Sequence, residues 1–158
     1  MAVRAVCATG LLKRVVDAVK DLVTDVNLVC SEAGVALSCC DSSNVALIEL
    51  MLRADDFDEF ECGAGIAVGV HLLHLGKILK CAQDKDSCTL SADAESNALR
   101  VSFANADGDR SAAFELKLTD IETEQLAVPP CEYEMCADVP SGEFQRICRD
   151  LSTIGDTV

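Results

Sequence analysis

Apolar residues recur at helical spacing in three stretches of this chain, and alternate or run β-branched through most of the rest. Over 10–23, Leu11, Leu12, Val15, Val16, Val19, Leu22 and Val23 share one side while positions 13, 14, 17, 20 and 21 are polar. That pattern predicts an amphipathic helix, with Thr9 as its N-cap. A second helix is predicted over 70–81, with Leu72, Leu75, Ile78 and Leu79 inward and His74, Lys77 and Lys80 opposite. A third begins at Pro140-Ser141-Gly142, capped by Ser141, and presents Phe144, Ile147, Cys148 and Leu151 on one stripe. Strands are predicted over 3–8, 26–31, 35–40, 45–53, 57–62, 87–92, 98–103 and 111–118. Glu32-Ala33-Gly34 and Asp107-Gly108-Asp109 carry hairpin-turn chemistry. Few helices among many short, mostly antiparallel strands make the fold class α+β.

Residues 119–132 break the pattern. They hold Pro129-Pro130 with Asp120, Glu122, Glu124 and Gln125, and read as a connecting segment that still carries apolar Leu126 and Val128. Across it, Thr9-Gly-Leu-Leu-Lys-Arg-Val-Val matches Ser141-Gly-Glu-Phe-Gln-Arg-Ile-Cys in register, each after an extended segment (3–8 and 133–139). Two amphipathic helices after strands can look alike by chance; the sharper reading is a repeat. On that reading a first domain spans 1–118 and a second, similar one begins at 133 and is incomplete at 158.

Composition narrows the class. Half of the 158 residues are hydrophobic but only 4% are aromatic, so a full-sized core must be built from aliphatic side chains. Ten cysteines suggest a secreted disulfide scaffold at first sight. They are scattered through patterned apolar stretches, however, and Lys13 and Arg14 interrupt the first run that could serve as a signal segment. The reading is reduced thiols in a nuclear or cytosolic compartment. Cys131-x4-Cys136 alone is weak zinc spacing, and no apolar run is long enough to span a bilayer.

A net charge of −14, from 13 Lys and Arg against 27 Asp and Glu, argues against nucleic acid until the charges are located. The three predicted helices hold Lys13, Arg14, Lys20, Lys77, Lys80, Arg146 and Arg149 against only Asp17, Asp21, Glu143 and Asp150. They are therefore net +3 and leave −17 on everything else. Lysine and arginine favour helices in any protein, but that does not explain why 23 of the 27 acids avoid the same segments. Cations on helices and acids elsewhere suit sequence-independent contact with duplex phosphates.

Enzyme chemistry finds little support. His71-x-x-His74 offers two ligands at helical spacing with no third, and no phosphate loop or nucleophile elbow is present. A thiol such as Cys40 could pair with a His as nucleophile and base, which is the other enzyme reading. The acidic run 55–61 lacks calcium-loop spacing and reads as a solvated loop. Neither a metal nor a cofactor is expected.

Four stretches together resemble the eukaryotic DNA sliding clamps of the proliferating cell nuclear antigen family. They are Leu11-Leu-Lys-Arg-Val-Val-Asp-Ala-Val-Lys-Asp-Leu, Asp41-Ser-Ser-Asn-Val-Ala-Leu, Lys77-Ile-Leu-Lys-Cys81 and Pro140-Ser-Gly-Glu-Phe-Gln-Arg-Ile-Cys-Arg-Asp-Leu-Ser152, with Glu124-Gln-Leu-Ala-Val-Pro129 also fitting. The resemblance implies a non-enzymatic, nuclear, homotrimeric ring of two-domain subunits, with antiparallel sheets outside and two helices per domain on the inner face. By similarity, Lys13, Arg14, Lys20, Lys77, Lys80, Arg146 and Arg149 face double-stranded DNA. Cys40, Asn44, Val45, Leu47, Leu126, Val128 and Pro129 would form the groove for peptide motifs of DNA polymerase, clamp loader, nuclease and ligase. Cys81, Arg110, Ser111, Phe114 and Lys117 would meet the next subunit.

Three residues depart from the family pattern: Cys40 stands where Met is usual, Asn44 where His is usual and Phe114 where Tyr is usual. The rest of the second domain is missing from these 158 residues. The alternative to a ring is therefore a truncated clamp that binds partner peptides without closing. For the chain by itself the expectation is no stable closed trimer, an open edge at 111–117 and feeble binding to DNA.

Overall fold

The computed structural model describes residues 2–93, 96–121 and 132–155. Two compact units divide the chain, Met1–Val128 and Pro129–Val158. In the first, β1 (Val3–Ala8) runs straight into α1 (Thr9–Val19), followed by β2 (Asp25–Ser31), β3 (Gly34–Cys40) and β4 (Leu47–Arg53). A single 3-10 turn at Ala54–Asp56 leads to β5 (Glu59–Cys62). Then β6 (Ile66–His71) runs straight into α2 (Leu72–Leu79), followed by β7 (Ser87–Ala92), β8 (Ala98–Ala104) and β9 (Ser111–Lys117).

Two antiparallel sheets result, ordered β5-β1-β7-β8-β9 and β4-β3-β2-β6. The strand that precedes each helix pairs with strands from the other half: β1 with β7, and β6 with β2. The halves of this unit are thus interlocked copies of one strand–helix–three-strand motif, with β5 added beside β1. Alternation sends Val3, Ala5 and Cys7, Val26 and Cys30, Val68 and Val70, and Leu99, Val101 and Phe103 into a common core. Leu12, Val16 and Val19 of α1 and Leu72, Leu75 and Leu79 of α2 cover that core from the helical side.

Several elements differ from their sequence expectation for local reasons. Thr9 is not an N-cap. It is the first helical residue, fully buried, and both its N–H (2.9 Å) and its Oγ1 (2.8 Å) donate to the Asp86 carbonyl. The helix stops at Val19, because the chain turns to return Val23 to the core and leaves Leu22 half exposed. Val70 and His71 belong to β6 rather than to the second helix; Val70 faces Val26 across the ladder and is fully buried. Val45 and Ala46 lie in a loop before β4, and Phe57 is a buried core residue ahead of β5, its ring 5.1 Å from that of Phe60.

Two glycines are fixed by close approach. Gly34 closes the two-residue β2–β3 hairpin at φ +134°, where a Cβ would meet the Leu52 carbonyl at 2.0 Å. At Gly69 a Cβ would lie 1.9 Å from the Thr119 carbonyl oxygen. The chain after β9 crosses β6 there, and Thr119 N–H bonds to the Gly69 carbonyl at 2.9 Å.

In the second unit, α3 (Ser141–Ser152) is the regular element among the described residues. Pro140, not Ser141, occupies its cap position, and the Pro140 carbonyl takes the N–H groups of Glu143 and Phe144. The extended segment expected over 133–139 joins no ladder among the described residues.

Candidate nucleic-acid face and partner surfaces

The 3.6-residue period of α1 turns Leu12, Val16 and Val19 inward and leaves Lys13, Arg14, Asp17 and Lys20 on the opposite side. In α2 the same logic buries Leu72, Leu75 and Leu79 and exposes Lys77 and Lys80. The two helices pack against each other. At Gly76 a Cβ would come within 3.3 Å of Val16 Cγ1, so the helices approach closely at this point.

Asp17 reports how those faces combine. Its carboxyl is held below the ordinary carboxylate range, first by the hydrogen bond from Lys20, with burial opposing, and then by the charges of Lys20, Lys80 and Lys13. One acidic group on α1 therefore senses cations of both helices, and these lie on one face. The cations differ in commitment. Lys13 is tied down, its Nζ donating to the Ala82 carbonyl (2.8 Å) and to Asp84 Oδ1 (2.6 Å). Lys20 pairs with Asp17, whereas Arg14, Lys77 and Lys80 are exposed. Sequence reasoning missed Asp17 and Asp84 as the acids that organise this face; the i, i+3 spacing of Asp17 from Lys20 was the available signal for the first, and Asp84 meets Lys13 across 71 residues.

In its own unit, α3 exposes Arg146, paired with Glu143 at 2.5 Å, and Arg149 in its last turn, where a cation meets the negative end of the helix.

The 40–47 region is built around one carboxylate. Asp41 accepts the N–H groups of Val45 (2.8 Å), Ala46 (2.7 Å) and Ser43 (3.3 Å) together with the Ser43 hydroxyl. These bonds, led by the Ser43 hydroxyl and the Ala46 amide, bring its pKa down to about 2. Asn44 adopts a left-handed conformation (φ 54°), which asparagine tolerates better than most residues. The clasp presents Val45 at 85% exposure beside partly exposed Leu47, while Cys40, the register partner of Leu47, is half-buried. Leu126, Val128 and Pro129, the other expected groove residues, lie outside the described residues. An aspartate two to five positions ahead of loop amides is a recognisable turn signal, and Asp41-Ser-Ser-Asn carries it.

At the other side of the unit, β9 pairs with β8 and forms one edge of its sheet. Ser111 and Lys117 are exposed along it, and Phe114 packs edge-on against Phe103 at 6.0 Å. Arg110, at the start of the strand, pairs at 2.7 Å with Asp86, which is only 4% exposed and also accepts the Gln83 N–H. Cys81, exposed after α2, donates its S–H to the Lys77 carbonyl.

The histidine pair does not form a ligand set. The rings of His71 and His74 stack at 4.1 Å and 19°, so their nitrogens lie in near-parallel planes rather than converging on one ion. Among the described residues, no three His, Cys, Asp or Glu side chains gather into a metal cluster.

Residues 3–126 match the family model of the N-terminal domain of proliferating cell nuclear antigen, and residues 127–158 match that of its C-terminal domain. The chain belongs to the proliferating cell nuclear antigen family. A proliferating cell nuclear antigen from Chaetomium thermophilum is 43% identical over 149 residues, which is 94% of this chain and 58% of that relative. The chain thus spans a little over half the length of the curated relative it matches. The expected α+β sliding-clamp fold agrees with the two antiparallel sheets and with the helices. These matches do not favour the alternative reading as a stand-alone module.

Proposed function

We propose that this chain serves as part of a DNA sliding clamp: a non-enzymatic, nuclear ring subunit that encircles double-stranded DNA and acts as polymerase processivity factor and platform for replication and repair proteins. The carrying observation is the joint cationic face of α1 and α2: the two helices pack together, Lys13 of α1 reaches the Ala82 carbonyl and Asp84 just after α2, and Arg14, Lys20, Lys77 and Lys80 stand on the polar sides. Arg14, Lys77, Lys80 and Arg149 supply exposed charge for phosphates without reading bases, while Lys13 and Lys20 hold the face together. Acids elsewhere discourage DNA from settling on other surfaces. Arg146 adds to the α3 side in the same way.

The two remaining surfaces fit the same reading. Val45, Leu47, Cys40 and Asn44, joined by Leu126, Val128 and Pro129, would receive the apolar anchors of short peptides from polymerase, clamp loader, nuclease and ligase. The β9 edge, with Ser111, Phe114, Lys117, Arg110 and Cys81, would pair with the neighbouring subunit of a homotrimer. Topological retention tests the reading. Loaded by a clamp loader onto nicked circular duplex, a full-length ring carrying this sequence should co-elute with DNA and be released when the circle is cut. Equal retention on circular and linear DNA would contradict it.

A further inference from the structure

The sheets are joined at one end by the short crossover from β5 to β6, and two cysteines lie beside it, Cys62 at its start and Cys30 opposite its end. Cys62 ends β5, where Phe60 and Cys62 turn toward the core while Glu59 and Glu61 stay exposed. Cys30 points into the same core from β2, 5% exposed. Only Gly63, Ala64 and Gly65 separate Cys62 from Ile66, which is the ladder partner of Cys30. A Cβ on Gly65 would sit 3.6 Å from the Cys30 carbonyl oxygen.

Cys62 is reachable from outside. It lines a cleft of about 530 Å³ with Val3, Arg4, Glu32 and Phe60. Its S–H is turned to the Ala64 carbonyl at 3.8 Å, and none of the described cysteines is in a disulfide. We propose that Cys62 and Cys30 are a peroxide-oxidisable pair, Cys62 the accessible thiol in the cleft wall and Cys30 the resolving thiol behind it, closing a reversible disulfide between the two sheets.

The chemistry balances with hydrogen peroxide as oxidant. The Cys62 thiolate attacks one peroxide oxygen, the O–O bond breaks, a sulfenic acid forms, and the departing hydroxide takes up the proton lost by the thiol as water. Cys30 sulfur then attacks the Cys62 sulfur, the S–S bond forms, and hydroxide leaves and takes up the Cys30 proton as a second water. Two thiols lose two electrons to the peroxide. The device is slow at neutral pH. Burial first, and then the charge of Glu32, pushes the Cys62 thiol up, and burial followed by the Cys62 neighbour puts Cys30 at about 11. Since the thiolate is the reacting form, oxidation should accelerate as pH rises above neutral.

The test treats the 158-residue protein with hydrogen peroxide, alkylates remaining thiols under denaturing conditions and maps the peptides. The expected result is a Cys30–Cys62 linked peptide, released by dithiothreitol, and a Tm raised by roughly 5–15 °C for a closed loop of this size. Cys62→Ser should abolish the link. Cys30→Ser should stop Cys62 at a dimedone-reactive sulfenic acid with no rise in Tm. The exposed Cys81, Cys136 and Cys148 can bridge between chains, so the same mapping is repeated with those three as serine. Oxidation of Cys62 to sulfinic acid in the wild-type protein while Cys30 stays alkylatable would overturn the proposal, as would a link from Cys62 to another cysteine. If Cys30→Ser does not fold, the wild-type link and its Tm shift decide alone.

Discussion

Asp41 shows how one side chain sets a surface. Its carboxylate takes three amides and a hydroxyl, so the loop that displays Val45 is held by an ionised group. The folded pKa, about 2, lies below the ordinary value near 4. The stabilisation is therefore complete above the ordinary value and is lost as pH falls toward 2. The Val45 and Ala46 amide signals should hold steady down to the acid edge of that window; a titration centred near pH 4 would show that the clasp does not form. Asp41→Asn should loosen the loop and weaken binding of an aliphatic–aromatic peptide. Arg110 is the opposite case. Arg110→Ala leaves the buried Asp86 carboxylate with its amide partner but no cation, which should cost on the order of 2 kcal/mol in a denaturant titration.

At the level of elements, the crossing of β6 by residues 119–121 depends on the absence of a Cβ at position 69. Gly69→Ala should lower stability by about 1–3 kcal/mol, as overpacking does, and should perturb the Thr119 amide first. An unchanged denaturation midpoint would mean that this crossing is loose. What was legible beforehand follows the same local logic. β1 and β7 stand where alternation predicted, because each is bounded by a change of period or by turn residues. β6 was hidden, since Gly65 and Gly69 dilute its pattern and Val70-His71 continue smoothly into the apolar stripe of α2. Thr9 looked like a cap because a hydroxyl before a helix usually is one; only the fold brings the Asp86 carbonyl, 77 residues away, to compete for it. The cations of the candidate face were all legible from helical periodicity. The pairing of Lys13 with Asp84 was not, because Lys13 finds its partner across 71 residues. The strand exchange between the two halves left no trace in composition or period.

For the whole molecule, the account rests on charge held in the right place against an overall −14. If the α1/α2 face meets phosphates, Lys77→Ala with Lys80→Ala should reduce the slope of log affinity against log salt by about 2, equally for any duplex sequence and with unchanged Tm. A loss confined to one sequence would indicate base reading instead. The most direct measurement is site-specific photo-crosslinking to duplex DNA, with a photoreactive side chain placed in turn at Arg14, Lys77, Lys80, Arg53 and Lys117. The account predicts crosslinks from the three helix-face positions only, independent of sequence and fading as salt rises. Crosslinks from Arg53 or Lys117 that equal or exceed those from Lys77 and Lys80 would contradict it.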